Sequence, residues 1–275
     1  MIELRKHHDR KKGVLIMRQA RKAGLFLAGL CFVLWSINCA SPQKKIEQER
    51  ERDPKYQYNL GLFYLNNNDV DQALTHFQRA ISLDPKHYLA YNALGLALAM
   101  KGQLPEAQKA YLRCLEINPN FSEARNNLGS LYQEMGYLDQ AEEEFRKALA
   151  DPNYQTKELP AYNLARLFFL REDYEQALAL VQNALRFNQR LAMAHNLKGL
   201  IMEKLNRLPE AIDSYLSAVK LVPEDVNFNF NLAVAYFKDG QSPKAKEILE
   251  KILPLTKDES LRKQIASYLK QIYEK

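Results

Sequence analysis

A chain of 275 residues that is 47% hydrophobic and 26% charged has enough apolar material for a sizeable core and is not of disordered composition. Its 39 Lys and Arg against 33 Asp and Glu would suggest an anionic partner if the excess were spread over the fold. It is not: residues 1–38 hold 8 of the basic and 2 of the acidic residues, which leaves 31 of each, so the remainder is neutral and nucleic-acid binding is excluded.

The leader, residues 1–38, carries Arg5, Lys6, Arg10, Lys11, Lys12, Arg18, Arg21 and Lys22 ahead of an uncharged apolar run from Leu25 to Ile37. A basic head followed by such a run is an export signal. A conventional signal is shorter, and a start at Met17 gives an ordinary basic head, so Met17 is a second candidate for the start of translation. The run ends in Ser36-Ile37-Asn38-Cys39, which resembles a lipobox, the motif whose Cys is acylated and becomes the new N-terminus. That resemblance implies Cys39 as the lipidation site, although Ser36 stands where Leu is usual and Asn38 where a small residue is. Two other outcomes stay open. One is cleavage after Ala40; the other is an uncleaved inner-membrane anchor from Ala23 to Ala40, near the lower length for spanning about 30 Å. All three export the rest of the chain, since the basic flank stays inside.

Residues 39–53 form a charged tether after Cys39, with Lys44, Lys45, Glu47, Glu49, Arg50, Glu51, Arg52 and Asp53 close together. Of the three cysteines, Cys31 lies in the leader and Cys114 takes the place of a small apolar residue. No disulfide framework is available, and stability must come from packing.

From residue 54 a pattern recurs. Ala73, Ala107, Ala141, Ala177, Ala211 and Ala245 are spaced 34, 34, 36, 34 and 34 residues apart. In the cleanest copy Tyr91, Leu94, Gly95 and Leu98 share one helical face, Ala107, Tyr111 and Cys114 share another, Lys101-Gly102-Gln103 turns between them, and Pro119 ends the unit. Gly61, Tyr64, Phe77 and Pro85 mark the first copy and Gly129, Tyr132 and Phe145 the third, while the fourth departs with Ala165 for Gly and Val181 for the aromatic. A period of 34 with Leu-Gly, Tyr, Ala, aromatic and Pro marks resembles the tetratricopeptide repeat. The resemblance implies an all-α, right-handed superhelical solenoid of six repeats over 54–257. Leu261, Ile265, Leu269 and Ile272 form one stripe over 258–275, which predicts a capping helix.

Chemistry-bearing constellations are absent from the sequence. His7, His8, His76, His87 and His195 have no metal-ligand spacing, and there is no phosphate loop, nucleophile elbow or Glu-x-x-His pair. The expectation is a non-enzyme without cofactor, metal or small-molecule substrate.

At 100° per residue, the fourth, seventh, eighth and eleventh places of each first helix face the core, and the second, fifth, sixth, ninth and twelfth face away. In the family the latter arc lines a concave groove that receives peptides. The resemblance implies that groove at Tyr58, Asn59 and Leu62, at Asn92 and Leu96, and at Asn126, Asn127 and Ser130. It continues at Tyr162, Asn163, Arg166 and Phe169, then Asn196 and Leu200, then Phe230, Asn231, Val234 and Phe237. Asn has no propensity reason to recur in first helices. Two readings stand: an amide ladder that holds a peptide backbone, or bridges from each Asn to a carbonyl of the preceding repeat. Leu62, Leu96, Phe169, Phe230 and Phe237 tilt the groove toward an apolar ligand.

The 36-residue spacing arises at Ala150-Asp151-Pro152-Asn153-Tyr154, before Ala161-Tyr162-Asn163-Leu164. With the signal, the Cys, the short tether and six repeats, this joint is similar to that of the type IV pilus biogenesis lipoproteins, pilotins for the outer-membrane secretin. That resemblance implies an outer-membrane lipoprotein facing the periplasm that binds a secretin subunit and promotes its localisation and multimerisation. The alternatives are a general envelope scaffold for secretion or cell-wall partners and a non-catalytic docking subunit of an envelope enzyme.

Overall fold

The computed structural model describes residue 47 and residues 49–274. The leader with its two candidate starts, Cys31, the lipidation site Cys39 and most of the tether lie outside the described residues. Among the described residues, 47 and 49–51 are helical, and from Pro54 on there follow thirteen α-helices and one 3-10 turn, with no strand. Six helix pairs follow one another: α1 (Pro54–Asn66) with α2 (Val70–Leu83), α3 (Tyr88–Met100) with α4 (Leu104–Ile117), α5 (Ser122–Glu134) with α6 (Leu138–Ala150), α7 (Glu158–Leu170) with α8 (Tyr174–Phe187), α9 (Ala192–Lys204) with α10 (Leu208–Leu221), and α11 (Val226–Lys238) with α12 (Ser242–Ile252). The 3-10 turn Leu253–Leu255 leads to α13 (Glu259–Tyr273). Each pair packs as a hairpin, and each second helix packs on the first helix of the next pair, so the chain is one solenoid of six repeats.

The helices start and stop for local reasons. Asp53, Asp69, Asp173, Asp225 and Asp258 cap α1, α2, α8, α11 and α13 by accepting from backbone N–H groups two or three residues on. Between the helices of every pair one residue takes a left-handed conformation, with φ of 61° at Asn68, 72° at Gly102, 81° at Gly136, 62° at Glu172, 59° at Asn206 and 78° at Gly240. Five of these six are Gly or Asn, the residues that tolerate that region; Glu172 is the exception.

The six marker alanines are all fully buried. Close approach of the paired helices depends on the residue twelve places before the marker. A Cβ on Gly61, Gly95, Gly129 or Gly199 would lie 2.4 to 2.7 Å from the ring of Phe77, Tyr111, Phe145 or Tyr215. Repeats 4 and 6 have Ala165 opposite Val181 and Ala233 opposite Leu249 instead, and all four are fully buried. The larger residue on one helix is thus matched by a smaller one on the other, which conserves volume. The apolar core runs unbroken from Ala141 to Ala245, with smaller clusters around Phe77, around Tyr111 and at the carboxy-terminal end. There Ile265 and Leu269 of α13 bury themselves against Ala233, Leu249 and Ile252.

The long spacing is absorbed outside the helices. Seven residues separate α6 from α7, where four separate the other repeats. Asp151 ties this joint down: it accepts from the Ser122 hydroxyl at the start of α5 and, at 2.9 Å, from the Asn153 backbone N–H. The first of these bonds, reinforced by the second, holds the Asp151 carboxyl below its ordinary range.

Candidate peptide-binding groove

Each of the six first helices carries an asparagine at its fifth or sixth residue, and between neighbouring repeats these asparagines meet in pairs. Asn127 Nδ2 donates to Asn92 Oδ1 at 3.0 Å, Asn163 Nδ2 to Asn126 Oδ1 at 3.0 Å, and Asn231 Nδ2 to Asn196 Oδ1 at 2.9 Å. In each pair the acceptor is the fifth residue of one repeat and the donor the sixth of the next. Asn92 also donates to Glu123 Oε1 at 3.1 Å, and Asn163 reaches the Ser130 hydroxyl at 3.4 Å. Asn92 and Asn126 are each only 6% exposed, so an unpaired amide there would cost about 1–3 kcal/mol. Of the two readings of the recurrence, the bridge to the preceding repeat is the one this geometry supplies, and the carbonyl it uses belongs to a side chain. One acceptor on each of Asn127, Asn163 and Asn231 has no hydrogen-bond partner among the described residues.

The remaining two junctions use other residues in these places. Tyr58 and Ala93 stand in these places at the first and Tyr162 and Leu197 at the fourth, with Ala93 and Leu197 buried in the core and each tyrosine packed against the same cluster. The Tyr58 ring lies 5.1 Å from that of His87 and 6.1 Å from that of Phe77. Arg166, exposed, places its guanidinium 5.9 Å from the centre of the Tyr162 ring. Burial pushes both phenols above their ordinary pKa, so they remain neutral donors. Asn59 is exposed and has no hydrogen bond among the described residues.

The apolar members of the arc divide. Leu96 is 41% exposed, whereas Leu62 and Phe169 are half-buried, the latter edge-on to Tyr174 at 5.7 Å. Phe230 and Phe237 both pack edge-on to Tyr268, at 6.0 and 5.4 Å. These two are covered by α13, which lies against α11 and α12 in the place a seventh first helix would take; the sequence stripe gave the cap but not which groove residues it would overlie. Conversely, Phe63, Met100 and Leu170 are 59%, 52% and 59% exposed and were outside the arc read from sequence. Met100 and Leu170 share the thirteenth place of their repeats, and that regularity was the available signal.

Other polar groups are occupied structurally. His76 shares a hydrogen bond of 2.8 Å with Gln57 and stacks on Tyr64, and His195 bonds the Gln189 carbonyl at 2.9 Å. The Cys114 thiol is fully buried, which pushes its pKa up to about 12 and leaves it inert. Beside the joint, Pro119, Ser122, Arg125, Lys147 and Asp151 border a cleft of about 560 Å³, but Arg125 pairs with Glu144 at 2.9 Å and Lys147 with Glu143 and Glu144 at 2.7 Å. Its cations are already neutralised. Among the described residues no group of three or more His, Cys, Asp and Glu could hold a metal, and no helix is long and apolar enough to cross a membrane. What the face offers is an extended surface of amides, aromatic rings and exposed aliphatic groups, which suits binding of another chain.

Three family models match the sequence: tetratricopeptide repeat over residues 58–120 and again over 110–143, and the C-terminal ARM domain of tetratricopeptide repeat protein 21 over 155–267. The human protein O-mannosyl-transferase TMTC3 is 26% identical over 222 residues, covering 78% of this chain and 24% of its own length. The chain spans 24% or less of each of the curated relatives it matches. Among solved structures, PilF of Pseudomonas aeruginosa superposes with a TM-score of 0.71 at 17% identity, covering 80% of this chain and 99% of PilF. PilW, described as a widely conserved type IV pilus biogenesis factor, gives 0.70 at 19% identity over 80% of this chain and 98% of PilW. At these identities the likeness establishes the solenoid.

Proposed function

Because the chain is a tetratricopeptide-repeat protein with the solenoid seen in PilF and PilW, we propose that it is a lipid-anchored scaffold assisting type IV pilus assembly. In this reading Cys39 carries the lipid, the repeats face the periplasm from the outer membrane, and the first-helix face binds a subunit of the secretin and promotes its localisation and multimerisation. The observation that carries the reading is co-extension. PilF and PilW are matched over 99% and 98% of their length, so 80% of this chain superposes on the whole of each solved array. The insertion at Asp151 to Tyr154 and the lipobox-like Ser36 to Cys39 support it from the sequence.

Crosslinking in intact envelopes, followed by identification of what is attached to the repeats, tests this. A secretin subunit is the expected product. Recovery of wall-synthesis enzymes and no secretin overturns the pilus reading in favour of a general envelope scaffold. Labelling with a radioactive fatty acid tests the anchor separately: incorporation should disappear in Cys39→Ala and the repeats should leave the membrane fraction, since the acyl chains on Cys39 are then the anchor. Retention of that variant in the membrane would instead favour an uncleaved anchor.

A further inference from the structure

At the carboxy-terminal end of the array the first-helix face does not close flat. Between α9, α11 and α13 lies a cleft of about 320 Å³. Leu200, Phe230, Val234 and Tyr268 supply its apolar surfaces, and polar groups stand at its edge. The charges there are unequal. Glu203 is the one carboxylate among the lining residues, and it is already engaged: the Tyr215 hydroxyl donates to Oε1 at 2.8 Å and Lys238 pairs with Oε2. Lys204, on the same helix turn, is exposed and has no carboxylate partner among the described residues. Asn231 donates its amide to Asn196 and keeps its oxygen free to accept.

An occupant must therefore be apolar where it meets the floor and anionic where it meets Lys204. A basic segment would place like charges together, and a neutral one would forgo the attraction of the Lys204 ammonium. The volume is at the lower end of the range for small ligand sites, about 300–1,000 Å³, which suits one large side chain with its flanking backbone and not a folded domain. We propose that this cleft receives an extended segment of a partner protein in which a large apolar side chain is followed directly by a carboxylate. The inference rests on the scaffold reading above, and it assigns the specificity of the face to Lys204 and to the space between α9, α11 and α13.

The test is fluorescence anisotropy with the full chain in lipid nanodiscs and three labelled octapeptides that differ only in a central Phe-Glu, Phe-Gln or Phe-Lys. Phe-Glu should bind roughly tenfold more tightly than Phe-Lys, with Phe-Gln between them. Lys204→Glu, at an exposed position that does not endanger folding, should reverse the order, and Leu200→Trp should weaken all three alike by filling the cleft. Equal binding of the three peptides, an order unchanged in Lys204→Glu, or binding of octanoate in their place overturns the proposal. Envelope crosslinking with Lys204→Glu separates this inference from the pilus reading. Undiminished capture of a secretin ends the inference and leaves the reading standing, whereas a Phe-Glu preference without any captured secretin leaves the inference standing and ends the reading.

Discussion

Repeats 3 and 4 lie side by side, share the amide pair Asn126–Asn163, and fill the same three places with different residues. Repeat 3 packs Gly129 under Phe145, turns at Gly136 and ends α5 before Met135. Repeat 4 packs Ala165 under Val181, turns at Glu172 and ends α7 before Arg171. The first difference is a paired exchange that conserves volume, the second is an uncompensated strain, and the third adds charge. A single repeat motif thus tolerates substitution for different reasons at different places, and each reason has its own magnitude.

The largest effect is expected from breaking the volume pairing. Gly129→Ala would bring a methyl group to 2.7 Å from the buried Phe145 ring and should destabilise by about 1–3 kcal/mol through overpacking. Phe145→Val alone should cost roughly 2–4 kcal/mol, because the ring leaves a cavity. The double variant rebuilds the pairing of repeat 4 and should be destabilised by at least about 1 kcal/mol less than the sum of the two. Urea denaturation of all four proteins measures this. Strict additivity would mean that the two helices do not share one space.

A smaller effect belongs to the turns. Glu172 holds φ at 62° without the freedom of glycine, and an L-residue there costs about 1–2 kcal/mol, part of which a glycine would return by loosening the unfolded chain. Glu172→Gly should stabilise by up to about 1 kcal/mol, and Gly136→Glu should destabilise by a similar amount. Thermal melts of the two variants should shift in opposite directions; shifts of the same sign would show that the turns of repeats 3 and 4 are not equivalent.

Much of this was legible in the sequence. Ala73 to Ala245 announced the period, and the stripe from Leu261 to Ile272 announced the cap, because both depend on periodicity that a chain displays openly. Ala165 and Val181 read as two separate departures from the repeat, although in space they are one exchange, and no spacing rule connects residues on facing helices sixteen places apart. The asparagines show a similar limit. Their recurrence was plain, but the offset from the fifth place of one repeat to the sixth of the next emerges only when the stacking of the helices is known. The cleft beside Lys204 was hidden for a further reason: Gln264 and Tyr268 come from the cap, outside the repeat pattern altogether.

The smallest effect distinguishes Arg171 from Met135. Arg171 bridges the two repeats by pairing with Asp139 at 2.6 Å and with Glu142, and its guanidinium lies 5.7 Å from the centre of the Phe168 ring. Asp139 is 97% exposed and contributes next to nothing, whereas the Arg171 and Glu142 side chains are 28% and 21% exposed. Partial burial works to raise the Glu142 pKa, but hydrogen bonds from Arg146 and Arg171 more than offset it and leave it below its ordinary 4.5. A carboxylate lowered in this way contributes stability that is fully present above 4.5 and is lost as the pH falls through its folded value. Arg171→Met, which installs the residue of repeat 3, should therefore cost less than about 1 kcal/mol near neutral pH. Its deficit against the parent should shrink as the pH drops below 4.5, because the parent then loses the same interaction. Melting temperatures measured across that range decide the mechanism: a deficit that persists unchanged into acid would assign the role of Arg171 to its packing on Phe168 rather than to its charge.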